Sequence, residues 1–228
     1  LSADGPVNEA AIWGLKEIIY IFALRAIFGY VTTRLAGPYT GELTGAVVTL
    51  ADRMLTIILI YLIVRRLTEG WQQALGLKTG GLARQVAIGL AAGVGLLAAL
   101  NIGEKALYRF LAVELQTHPL IGSAFGAGSF SQFLWPLLAG GIFTPVAEEM
   151  LYRGMIYPAA ARRAGVAGGV IISVIVFTVF HFNLYWLGEI FFAGLVFTLL
   201  YIKTRSIIPG IIAHAAVNSW RLIMAFLA

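Results

Sequence analysis

Glu148 and Glu149 stand side by side in Thr144-Pro-Val-Ala-Glu-Glu-Met-Leu-Tyr-Arg153-Gly154. His181 lies in Phe177-Thr-Val-Phe-His181-Phe-Asn183, and His214 and Asn218 lie in Pro209-Gly-Ile-Ile-Ala-His214-Ala-Ala-Val-Asn218-Ser219. Peptide hydrolysis needs a base beside the attacking water and donors aimed at the oxyanion. A carboxylate supplies the first; Asn and a suitably protonated His supply the second. Helical spacing divides the two glutamates. Glu149 and Arg153 are four apart and can pair on one face. Glu148 points about 100° away, without that partner, and is left for proton transfer. His214 and Asn218, also four apart, share a face. Each group has a plainer use. A Glu–Arg network can simply hold helices together, a single His often packs with one hydrogen bond, and His and Asn bond across membrane helices.

The elements that position these residues follow from composition. Of the 228 residues, 60% are hydrophobic and only 12% charged. A soluble domain carries about 25% charged residues. Several apolar runs reach the roughly 18–20 residues that cross a bilayer as a helix, whereas a β-barrel would show alternating segments of about ten. The pattern predicts an all-α, polytopic transmembrane bundle of about seven to eight helices, one integral membrane domain over 1–228, with its active site in the membrane. The segments are predicted near 10–35, 43–67, 84–112, 130–163, 167–182, 185–204 and 206–227. Pro136 and Pro145 should kink the long fourth one. Gly37-Pro38-Tyr39-Thr40-Gly41 reads as a turn. The first segment is too long and too interrupted by charge for a cleavable signal peptide. No internal repeat supports an inverted-repeat transporter. With no cysteine, thiolate catalysis, disulfides and Cys-ligated zinc are excluded.

The charge of +5 has no basic run interleaved with aromatics, so nucleic acid is not a partner. Arg65, Arg66, Lys78 and Arg84 fall in one link, Arg162 and Arg163 in a second, Lys203 and Arg205 in a third. Seven crossings put all three on one side, which the positive-inside rule makes cytoplasmic, together with the N-terminus. At 1.5 Å per residue, Glu148 and His181 lie about 21 Å from that side and His214 about 12 Å, so one pocket within the membrane can hold them. Other charges look structural. An Arg25–Asp52 bridge is expected, with Arg53 beside it. Glu189 is expected at the outer interface, and Glu104, Lys105 and Arg109 on a solvated or snorkelling face. Trp13, Trp71 and Trp186 suit interface anchors. His118, next to a proline in a link, reads as an ordinary loop residue.

In order along the chain, Glu148-Glu149-x-x-x-Arg153, Phe177-x-x-x-His181 and His214-x-x-x-Asn218 resemble the CPBP family, the type II CAAX prenyl endopeptidase or Abi family. Gly194-Leu-Val-Phe-Thr-Leu-Leu-Tyr-Ile-Lys-Thr-Arg-Ser206-Ile-Ile-Pro209 is similar to the family's segment before its last motif. The resemblance covers about 130–220, the expected catalytic core; the first 120 residues carry no family motif. It implies an intramembrane endopeptidase whose best-known members remove three residues from prenylated CAAX proteins. Carried over residue by residue, it makes Glu148 the base that activates water and His181 a group that positions it. His214 and Asn218 become the oxyanion donors, and Glu149 and Arg153 orient the site.

Glu148, His181 and His214 could also form a two-His, one-carboxylate zinc site with an open position. His-Glu-x-x-His spacing is absent, and a Glu-activated water uses every residue without a metal, so a metal-free glutamate protease is favoured. The partners expected are membrane lipid and a peptide or protein substrate, lipidated or not. The location expected is a prokaryotic plasma membrane. Two other functions would use the same residues differently: a non-proteolytic membrane scaffold or interaction protein, and a transporter or channel with Glu148 and the histidines as a proton relay.

Overall fold

The computed structural model describes residues 13–36, 41–111 and 127–228. Among them the chain is helical, with no strand. The elements are α1 (Leu15–Ala36), α2 (Glu42–Leu67), a single turn α3 (Trp71–Ala74) and α4 (Leu82–Leu111). A long composite rod follows: α5 (Phe130–Pro136), π1 (Leu137–Phe143), α6 (Thr144–Glu149), π2 (Met150–Ile156) and α7 (Tyr157–Val179). The chain ends with α8 (Leu187–Thr204) and α9 (Ile208–Leu227). Six helical stretches are long and apolar enough to cross a membrane, and the one over Phe130–Val179 is 50 residues long. It is not one crossing. Gly165 has φ +70°, a left-handed conformation that L side chains resist, and the chain folds back there. Beyond it, Ser173 Oγ donates to Tyr152 O at 3.2 Å, and Phe177 meets the Tyr152 ring edge-on at 5.0 Å. The break between the fourth and fifth sequence segments therefore stands, and seven long helical segments result among the described residues.

Many large apolar side chains face outward, among them Ile27, Leu62, Val94 and Ile102. On a soluble protein this would be an aggregation surface; on a spanning bundle it is the lipid face. Lipid supplies no hydrophobic drive between helices, so close association depends on small residues. α4 and α9 show it. A Cβ on Gly89 would come within 2.8 Å of Pro209 O, and one on Gly93 within 3.1 Å of Ala213 O.

The prolines do not break the rod. Pro136 keeps helical angles, and the helix loosens to the π register beyond it, where Thr144 N donates to Ala139 O. In that register residue 145 would donate to Gly140 O, but a proline has no N–H. Asn218 Nδ2 takes that carbonyl at 3.0 Å, and Ser219 Oγ donates to Gly141 O at 3.3 Å. A missing donor in one helix thus ties α9 to it.

The expected Arg25–Asp52 bridge is present, bidentate at 3.1 and 2.7 Å. The tryptophans differ from expectation. Trp13 is fully buried and donates from Nε1 to Met155 O at 3.1 Å, and Trp186 is buried as well. Only Trp71 stands half-buried, edge-on to Tyr61 at 5.0 Å. The indole N–H of Trp13 and the ring area of Trp13 and Trp186 serve the bundle rather than the interface. Glu104 and Glu189 also depart from expectation: both contact Arg221 on α9, Glu104 at 3.1 Å. An arginine facing the bundle needs counter-charge, which draws them inward. His118 and residues 37–40 of the expected turn lie outside the described residues.

Candidate active site

The two glutamates end α6, between the two π stretches, and they diverge as helical spacing requires. Glu149 is fully buried, and its Oε1 accepts from Arg153 Nη1 at 2.7 Å and from His214 Nδ1 at 3.2 Å. Arg153 is equally enclosed. It donates to Gly194 O at 2.8 Å and lies over the Phe177 ring at 4.5 Å. A guanidinium removed from water needs such partners for its hydrogens and charge. The close fit depends on α9 having a glycine at 210, where a Cβ would fall 2.9 Å from Glu149 Oε2.

Glu148 turns instead into a cavity of about 820 Å³, which His181, His214 and Asn218 also line. Its Oε2 lies 3.9 Å from His181 Nε2 and 4.0 Å from His214 Nε2, distances that leave room for a bridging group. That oxygen is buried and has no direct hydrogen-bond partner. The other ring nitrogens fix what faces it. His181 Nδ1 lies 2.7 Å from Phe177 O, and a carbonyl only accepts, so Nδ1 carries the hydrogen. His214 Nδ1 likewise donates to the Glu149 carboxylate. In the neutral rings both Nε2 atoms then present lone pairs towards Glu148 Oε2. His214 is held flat against Phe197, centroids 4.7 Å apart and planes 17° apart. Asn218 has one amide hydrogen committed to Gly140 O and another left over.

Arg53 of α2 is the residue that sequence reasoning did not bring here. Its Nη2 lies 3.6 Å from Glu148 Oε1, its Nε donates to Thr144 Oγ1 at 3.1 Å, and its Nη1 donates to Asp52 at 3.1 Å. Glu148 therefore has a cationic neighbour after all, supplied from another helix. The sequence pairs Asp52 with Arg25 and gives Arg53 no partner, and nothing in α2 itself points to α6. Asn183 also lines the cavity, while its Oδ1 accepts from Trp186 N at 3.1 Å.

The converging lone pairs of Glu148, His181 and His214 have the chemistry of a zinc donor set. As placed, no three His, Cys, Asp or Glu side chains among the described residues are arranged to hold a metal ion.

Fold and cavity together define a class: a polytopic helical membrane protein with a buried acid–base cluster opening on a cavity within the bundle. Residues 130–220 match the family model of type II CAAX prenyl endopeptidase Rce1-like proteins. The match spans the same stretch as the three motifs. No curated protein and no solved structure matches the chain.

Proposed function

We propose that the chain is an intramembrane endopeptidase in which Glu148 activates the hydrolytic water without a metal. One observation carries the reading: His181 Nε2 and His214 Nε2 both approach Glu148 Oε2, at 3.9 and 4.0 Å, on the wall of a cavity. A water between these acceptors donates its hydrogens to Glu148 and His181, which turns an oxygen lone pair outward to the scissile carbonyl. Its O–H bond breaks towards Glu148 as its oxygen bonds the carbonyl carbon. Asn218 offers its second amide hydrogen to the oxyanion. His214 can join it only as the imidazolium, because its Nδ1 hydrogen is already given to Glu149. Glu148 then returns the proton to the amine as the C–N bond breaks, and acid follows base in the same group. Glu149 and Arg153 hold His214 in place from behind the wall.

Cleavage of a panel of prenylated and unprenylated peptides by the purified protein tests this reading, with and without a chelator and beside Glu148→Gln. Chelator-resistant cleavage that is lost in Glu148→Gln is the result expected. Chelator-sensitive cleavage restored by zinc would overturn the metal-free mechanism. Cleavage that survives in Glu148→Gln would remove Glu148 from it.

A further inference from the structure

We infer that Asn183 is a further substrate-contacting residue of the cavity, its side-chain amide donating to a backbone carbonyl of the bound peptide. The word substrate rests on the proteolytic reading above; the direction of the hydrogen bond does not.

The turn after α7 brings two of its side chains to one wall. In a helix, residues two apart do not share a face. His181 and Asn183 are two apart, and both line the cavity. The chain leaves the helix between them. Phe182 has φ +50°, a left-handed conformation that a bulky side chain rarely adopts. Phe182 and Leu184 stand clear of the wall, 84% and 88% exposed. Side chains therefore alternate across the turn, with His181 and Asn183 on the cavity and their neighbours off it.

The one protein bond of the Asn183 side chain orients its amide. Trp186 N can only donate, so the atom that meets it at 3.1 Å is Oδ1, and Nδ2 is the other end. Neither hydrogen on Nδ2 meets an acceptor among the described residues.

Other donors on the wall are turned to the protein itself. Arg53 faces Asp52, Thr144 and Glu148, and Arg221 faces Glu104 and Glu189. His181 and His214 give their Nδ1 hydrogens to Phe177 O and Glu149. Asn218 has one hydrogen left, which the oxyanion takes. Much of the remaining wall is apolar, Leu100, Ile190 and Phe197 among it. A peptide carbonyl that leaves water for such a wall loses free energy unless a donor meets it, and Asn183 holds one out. Two residues of chain span at most about 7 Å. A donor two residues from His181 thus serves a carbonyl about two residues from the scissile one.

Two variants of the full chain separate this contact from a merely structural cap. Asn183→Asp keeps an oxygen for Trp186 N and removes both donors. Asn183→Leu removes oxygen and donors together. The measurements are the thermal midpoint, the Kd of a fluorescent prenylated peptide, and KM and kcat for its cleavage. Both variants should raise Kd and KM roughly three- to tenfold, the scale of one hydrogen bond, with kcat little changed. Only Asn183→Leu should lower the midpoint. Unchanged binding in Asn183→Asp would leave Asn183 a cap alone and overturn the inference. Weaker binding in Asn183→Asp but not in Asn183→Leu would be the effect of the added charge and would overturn it too, as would an unaltered chain that binds no peptide. Weaker binding in both variants of a chain that never cleaves would sink the proteolytic reading and leave the contact standing. Full binding in both beside active cleavage would do the opposite.

Discussion

Arg53 and Glu148 come from helices distant in sequence, yet Arg53 Nη2 lies 3.6 Å from Glu148 Oε1. The contact brings α2, which lies outside the family-matched stretch, to the proposed base. Arg53 is fixed from both sides, by Asp52 and by Thr144, and Asp52 is fixed in turn by Arg25. Arg53 is therefore a positioning residue. Arg53→Gln should lower kcat roughly ten- to a hundredfold, the scale on which orienting partners of active groups act, with little change in KM. Arg53→Lys should recover part of the loss, since it restores charge without the fork. Initial rates over a range of peptide concentrations read both. Loss of KM alone would instead place Arg53 in substrate binding.

Glu148 and Asn218 should separate activity from stability. Glu148 Oε2 has no direct hydrogen-bond partner, so Glu148→Gln should abolish cleavage and leave the thermal midpoint in detergent nearly unchanged. Asn218 also caps Gly140 O, the carbonyl that Pro145 leaves free. Asn218→Ala should lower activity and also cost about 1–3 kcal/mol of stability, from an acceptor left unsatisfied. Equal thermal shifts in the two variants would contradict this division.

Arg153 and Glu149 are both fully enclosed, and each needs the other. Arg153→Leu alone strands a buried carboxylate and should cost about 3–5 kcal/mol. Removing both charges in Arg153→Leu with Glu149→Leu should cost less than the single change. Midpoints of the two variants, measured in the same detergent, check the order. Activity should be lost in the double variant, where His214 loses its Glu149 partner.

Gly210→Ala tests the close approach of α9 to the site. Its new methyl would sit 2.9 Å from Glu149 Oε2, so helix or carboxylate must shift. Overpacking of this kind should cost about 1–3 kcal/mol. Gly45→Ala, whose added carbon meets nothing within 4 Å, is the control and should leave the thermal midpoint unchanged.

Much of this architecture was legible in the residues. Segment ends fell within a few positions of the helices because apolar runs and basic links mark them directly. Glu149 with Arg153, and His214 with Asn218, were readable as pairs because both partners lie one turn apart on a single helix. Arg25 with Asp52 was readable because opposite charges in the middle of neighbouring apolar segments have few other partners. What spacing did not reveal were contacts between helices whose relative rotation sequence leaves open. Arg53 is one, since Glu148 and Thr144, which it meets, stand on another helix. Arg221 is another, drawing Glu104 and Glu189 off the face where they would have met water. The π stretches were also hidden. The prolines advertised a kink, whereas the helix widened and lent a carbonyl to Asn218.

That widening has a consequence for length. A π turn is in effect an α-helix that has taken in about one extra residue, and one such stretch lies on each side of the Glu148–Glu149 turn. Excising a single residue from Leu137–Phe143, ahead of Gly140, would return that stretch to α winding and leave the residues before it facing nearly as they do, whereas the same excision from a plain α-helix would turn them by about 100°. The carbonyl of Gly140 would then regain a backbone donor and release Asn218, and with it the tie to α9. The rod is thus a counted object. Its chemistry depends on how many residues separate Pro136 from Glu148 as much as on which residues they are.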